Sequence, residues 1–125
     1  MKEKYTIEFA LRKGSAKSLW KLISTPQGLS EWVADRVDRQ GDVLTFYWNR
    51  DSEQARFIRE VPEVKVRYHW LKEPEETYFE LEIVKSELTG ELSLMLTDFA
   101  SPDEREDMIY LWTKEIDRLV RRLGL

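Results

Sequence analysis

Hydrophobic positions along the chain change period three times, and each change marks a change of structure. Tyr5, Ile7, Phe9 and Leu11 alternate with Lys4, Thr6 and Glu8. A period of two with one apolar face predicts a half-buried strand. Gly14-Ser15 breaks the alternation, and Ser15 suits a helix N-cap. Ala16, Leu19, Trp20 and Ile23 then recur at helical spacing and predict a short amphipathic helix. Thr25-Pro26 supplies a second cap followed by proline at the first helical position. The second short helix it starts carries Leu29 and Trp32 inward and is expected to end near Val33.

From residue 33 to residue 100 the period returns to two. Residues 33–38 predict a short, polar strand near an edge. The following runs carry Leu44, Phe46 and Trp48, then Ala55 and Phe57, then Val64, Val66, Tyr68 and Trp70. Two more carry Phe79, Leu81 and Ile83, and Leu92, Leu94 and Leu96. Turn chemistry separates them at Gln40-Gly41-Asp42, Asn49-Arg50-Asp51-Ser52, Pro62-Glu63, Glu73-Pro74-Glu75-Glu76 and Thr89-Gly90. Connections this short join neighbouring strands, which are therefore antiparallel.

The last element is helical. Ser101-Pro102-Asp103-Glu104 places a cap, a proline and a capping-box glutamate in register. Acidic residues crowd this end, and Arg118, Arg121 and Arg122 crowd the other, as the helix dipole favours. Met108, Ile109, Trp112, Ile116, Leu119, Val120 and Leu123 fall within an arc of about 120° at helical spacing. Gly124 ends the helix. Such a stripe needs a large apolar partner, and the hollow face of a twisted sheet is the one available. The expected fold is a single α+β domain over residues 1–125. It has a curved antiparallel sheet of about seven strands, two short helices after the first strand, and a long C-terminal helix.

Composition narrows the chemistry. In 125 residues, 42% are hydrophobic and 35% charged, the balance of a packed domain. Five Trp, five Tyr and five Phe either pack densely or line a cavity. Net charge is −4 with the signs interspersed, which repels phosphate backbones and argues against nucleic acid as a partner. Without cysteine there are no disulfides, thiolate metal sites or thiol nucleophiles. No apolar stretch approaches a membrane span, and Met1-Lys2-Glu3-Lys4 leads into a strand with no signal-peptide core. A cytoplasmic protein is the expectation.

Three strings resemble a known family. They are Leu22-Ile23-Ser24-Thr25-Pro26-Gln27-Gly28-Leu29-Ser30-Glu31-Trp32, Val66-Arg67-Tyr68-His69-Trp70 and Leu96-Thr97-Asp98-Phe99. With the order of elements, they resemble the START-like superfamily (helix-grip fold, also called Bet v 1-like or SRPBCC). The nearest branch is that of the activator of Hsp90 ATPase, and the resemblance is to compact bacterial proteins of unknown function. It covers essentially the whole chain. The branch often has Trp-Trp where Trp32-Val33 stands, and His-x-Gly where Asp98-Phe99-Ala100 stands, so no role of that His carries over. The extra N-terminal domain of the Hsp90 activator is not seen.

The resemblance implies a ligand cavity between sheet and helix. Candidate lining residues are Trp48, Phe57, Tyr68, Trp70, Phe79, Leu81, Met108 and Trp112. Aromatic walls suit a flat or lipid-like apolar ligand, while the plainer reading has the same rings filling a core. Arg105 projects into the apolar stripe at the expected mouth, where it could meet a ligand carboxylate or phosphate, or lie over apolar surface with its head in water. Asp35 is a conceivable partner for it. His69, the single histidine, is expected on a solvent face with Lys65 and Arg67, and Glu80, Glu82 and Tyr78 on another polar face. No second histidine exists for a metal site or a hydrolytic triad, and no phosphate loop or cofactor motif appears.

Three functions follow in order. The first is a non-catalytic module that binds a small apolar ligand. The second is a protein-interaction module like the Hsp90 activator, in which outward Tyr47 and Tyr78 could equally serve a homodimer. The third, least favoured, is a cyclase-type enzyme that acts by positioning alone.

Overall fold

Strand β1, Glu3–Arg12, opens the computed structural model, which describes residues 1–12 and 14–124. Two short helices follow, α1 (Ala16–Ser24) and α2 (Pro26–Leu29). Then come β2 (Arg36–Gln40), β3 (Val43–Trp48), β4 (Asp51–Val61), β5 (Lys65–Trp70), β6 (Phe79–Lys85) and β7 (Leu92–Ala100). The chain closes on α3, Arg105–Arg122.

The seven strands form one antiparallel sheet in the order β1-β7-β6-β5-β4-β3-β2. Hairpin connections account for every pairing except β1 with β7, where α1 and α2 carry the chain from one edge to the other. Tyr5 lies opposite Asp98, and Ile7 opposite Leu96. In β4 the register slips between Phe57 and Arg59, a bulge that bends the sheet. The expected edge strand exists, shifted from residues 33–38 to Arg36–Gln40.

The two short helices form for the reasons visible in the sequence. Ser15 Oγ accepts from the Ser18 N–H at 3.2 Å, and Thr25 Oγ1 accepts from the Gly28 N–H at 2.9 Å. Glycine at position 28 is required by proximity. A Cβ there would collide with the Lys21 carbonyl oxygen and lie 2.6 Å from the Leu22 Cα, so any larger residue pushes α2 away from α1. Just beyond α2, the Trp32 indole N–H donates to the Leu22 carbonyl at 2.7 Å, and its ring meets Trp112 at 6.3 Å. The Thr-Pro-x-Gly-Leu string thus joins the short helices to α3.

Trp112, Ile116 and Leu119 of α3 are buried in one cluster with Leu81, Leu94 and Leu96 of the inner sheet face. This is the helix-grip arrangement. The start of α3 differs from the expected capping box. Ser101 Oγ donates to Glu104 Oε1 at 2.6 Å, but residues 102–104 form a turn and regular helix begins at Arg105. Side-chain capping of the backbone gives way to a bond between the two side chains.

Candidate functional site

The deep half of the gripped interior is filled. Tyr68, Phe79 and Leu81 are almost wholly buried, and the Tyr68 hydroxyl donates to the Ile23 carbonyl at 2.9 Å. Burial pushes that hydroxyl's pKa upward, so it stays protonated as a donor. Phe57 packs edge-on to Tyr68, and the Arg39 guanidinium sits 5.0 Å from its ring centre. These four candidate positions belong to the packed core and its margin, as the plainer reading has it.

The other end is open. A cavity of about 500 Å³ lies between α3, the 71–78 segment and the ends of β3, β4 and β7. Trp48, Trp70, Met108 and Trp112 line it, four of the nine positions singled out from sequence. Trp48 is fixed by its indole N–H, which donates to the Val33 carbonyl at 2.9 Å. Trp70 stacks on Phe79 at 5.0 Å, and Phe79 meets Trp112 at 5.7 Å. An aromatic row therefore runs from the pocket wall into the core and makes that wall rigid.

Arg105 is not part of this lining. Because helix begins one turn later than expected, it occupies the first helical position, exposed, with its guanidinium 5.6 Å from the Tyr5 ring centre. Asp35, its conceivable partner, instead accepts from the Asn49 N–H at 2.9 Å.

Two pocket groups were not singled out from the sequence. Asp98 continues the inward face of Leu92, Leu94 and Leu96, so β7 delivers a carboxylate where the pattern calls for an apolar residue. It is 5% exposed and fully engaged. Asp98 Oδ2 accepts from Trp112 Nε1 at 2.8 Å and from the Tyr5 hydroxyl at 3.2 Å, and Oδ1 accepts from the Phe99 N–H at 2.7 Å. Burial raises its pKa against the pull of these three donors. Glu115 lies one turn beyond Trp112, at the margin of the α3 stripe, and also lines the pocket. Burial pushes it from 4.5 up to about 8, with Arg118 opposing the shift and Asp98 adding to it. For Asp98 the available signal was a carboxylate inside an apolar repeat, whereas Glu115 flanks its stripe and gave none.

Charge rings the mouth. Lys2 Nζ lies 2.9 Å from Glu73 and 3.5 Å from Glu104, joining the N-terminal segment, the 71–78 segment and the turn before α3. The bond to Glu73 is the chief reason the Lys2 pKa is raised, and the Ser101 hydroxyl is the chief reason that of Glu104 is lowered. Lys72 Nζ approaches Glu53 Oε2 at 3.1 Å, close enough to pair but outside hydrogen-bonding geometry. These pairs are partly exposed and contribute little to stability.

His69 corrects an expectation. It is buried, with Nδ1 2.8 Å from the Thr77 carbonyl, because the 71–78 segment folds over the end of β5. An oxygen acceptor there requires the proton on Nδ1. Glu80 is likewise covered, bonded to Arg67 Nε at 2.9 Å, while the Arg67 guanidinium lies 3.8 Å from the Tyr78 ring centre. Tyr47 carries Arg36 in the same way at 4.2 Å. Neither tyrosine offers a bare ring. Among the described residues no group of three or more His, Asp or Glu could hold a metal ion, and no helix is long and apolar enough to cross a membrane.

Comparison with solved structures finds the same architecture in bacterial proteins. A Bacteroides fragilis protein solved in solution is 36% identical, with a TM-score of 0.65 over 97% of this chain and 90% of that one. The Aha1 dimer from Colwellia psychrerythraea is 16% identical with a TM-score of 0.76, over 98% and 96% of the two chains. A Mesorhizobium loti protein gives the same identity and TM-score over 98% and 97%. Comparison with curated proteins returns no match. The family model of the START-like superfamily domain matches residues 1–125. With that match, the 36% identical relative and the gripped helix, the chain belongs to the START-like superfamily.

Proposed function

We propose that the domain is a non-catalytic binding module for a small, largely apolar ligand held at the open end of the helix grip. The observation that carries this reading is the pocket of about 500 Å³ walled by Trp48, Trp70 and Trp112. Its volume falls in the range of small-molecule sites, and its walls are rigid rings with a few polar groups among them. Arg105 and the filled positions Phe57, Tyr68, Phe79 and Leu81 act in this reading as scaffold and leave contact to the wall residues.

Trp48, Trp70 and Trp112 are built-in reporters. Titration with a fluorescent hydrophobic probe should quench or shift tryptophan emission, and Met108→Arg, which puts a charged head into the cavity, should weaken the response at least about tenfold while the protein stays folded by circular dichroism. Binding of unchanged affinity in the folded Met108→Arg protein would refute the assignment.

A second reading is an interaction module of the kind the Aha1 likeness suggests, including a homodimer. Tyr110 and Leu111 favour it, since these consecutive residues of α3 are 60% and 52% exposed. Sedimentation of wild type against Tyr110→Ser/Leu111→Ser separates the two. A dimer lost in the variant supports the interaction reading, and a monomer in both removes the homodimer.

A further inference from the structure

The pocket's aromatic walls and its carboxylates together indicate what kind of head group it takes. Five carboxylates line it, Glu53, Glu73, Asp98, Glu104 and Glu115, against two lysines, Lys2 and Lys72. Both lysines are already paired, Lys2 with Glu73 and Glu104 and Lys72 with Glu53. Among the described residues neither Asp98 nor Glu115 is in a salt bridge, and Lys2 acts on Asp98 only at a distance. Asp98 accepts from three neutral donors, and among the described residues Glu115 takes part in no hydrogen bond, the attractive charge on it being Arg118 further along its own helix.

Trp48, Trp70 and Trp112 stand in the same cavity, and indole faces attract a cation through their quadrupole. Rings and carboxylates are independent features, and both favour positive charge. An anionic head such as a fatty-acid carboxylate would be repelled by Asp98, and by Glu115 once it has ionised, whereas an ammonium is attracted by both.

We propose that the pocket is selective for an apolar amine: a hydrocarbon or aromatic body against the tryptophans and a protonated amino group directed to Glu115, beside Asp98. This rests on the binding-module reading and deepens it by naming the ligand's chemical class. It reverses the sign of the head group that Arg105 suggested in the sequence.

The site also predicts linkage to pH. Glu115 shares the pocket lining with Asp98 of β7, Glu53 of β4, Lys72 and Glu73 of the 71–78 segment, Lys2 before β1 and Glu104 before α3, and the charges that act on it are Arg118 on its own helix and Asp98. In the empty pocket burial keeps Glu115 protonated near neutrality, so a bound ammonium expels that proton. Affinity for an amine therefore rises with pH up to about 8.

The test compares decylamine, decanol and decanoate by isothermal titration, below their aggregation limits, with wild type and the near-isosteric Glu115→Gln. Decylamine should bind about tenfold or more tightly than decanoate, should tighten severalfold between about pH 6 and about pH 8, and should release protons in buffers of differing ionisation heat. Glu115→Gln should erase the proton release and most of the preference while still binding decanol. Equal binding of all three compounds, or a preference unchanged in Glu115→Gln, overturns the amine selectivity and leaves the binding-module reading standing. Failure of all three to bind wild type refutes both.

Discussion

Glu115 makes the protein's stability depend on pH in a direction opposite to that of a salt-bridged carboxylate. Its folded pKa is pushed up to about 8 from an ordinary 4.5. Between those values the folded state holds a proton that the unfolded state has released, so stability falls as pH rises through the window and levels off above about 8. Every tenfold gain in proton affinity corresponds to about 1.4 kcal/mol, and water at the pocket rim screens part of the effect, leaving about 1–3 kcal/mol. Glu115→Gln keeps the shape and removes the titration. Urea unfolding of both proteins at about pH 5.5 and about pH 8.5 gives the difference directly. Asp98, whose pKa is also raised by burial, shifts stability in the same direction and is present in both proteins, so the difference between them reports Glu115 together with its repulsion from Asp98. The variant should become the more stable protein at the higher pH, with the gap widening by about 1–3 kcal/mol across the range. A gap that stays constant, or that widens toward low pH, would show that Glu115 ionises as in free water and would refute its burial in the pocket.

Two further substitutions probe the scaffold. Gly28→Ala should destabilise the domain by about 1–3 kcal/mol in urea unfolding, because the new methyl meets the rigid backbone of α1 at Lys21 and Leu22; a neutral result would mean α2 is free to shift. Arg105→Ala should change stability by no more than about 0.5 kcal/mol, because its guanidinium is exposed over Tyr5, and should leave probe binding unchanged; weakened binding would return Arg105 to the site.

Much of the architecture was legible because it follows from local rules. Alternation in Tyr5, Ile7, Phe9 and Leu11, and in Leu92, Leu94 and Leu96, identifies strands whatever surrounds them. Ser15 and Thr25 cap their helices through their own backbone neighbours three residues on. Candidate site residues were legible only as members of an inward face. Trp48 and Tyr68 both point inward, yet one lines the pocket and the other is sealed in the core. Periodicity reports the face of a strand but not the depth at which the helix closes against it.

Sequence by itself determined the order of elements, the antiparallel hairpins and the apolar stripe of α3, since backbone geometry and side-chain spacing need no distant partner. Tertiary structure alone decided where the interior is filled and where it opens. It buried His69 under the 71–78 segment, moved Arg105 onto Tyr5, and brought Asp98 and Glu115 to one cavity from β7 and α3. Those outcomes depend on contacts between residues far apart in the chain, and a pKa or a cavity volume exists only once such contacts have excluded water.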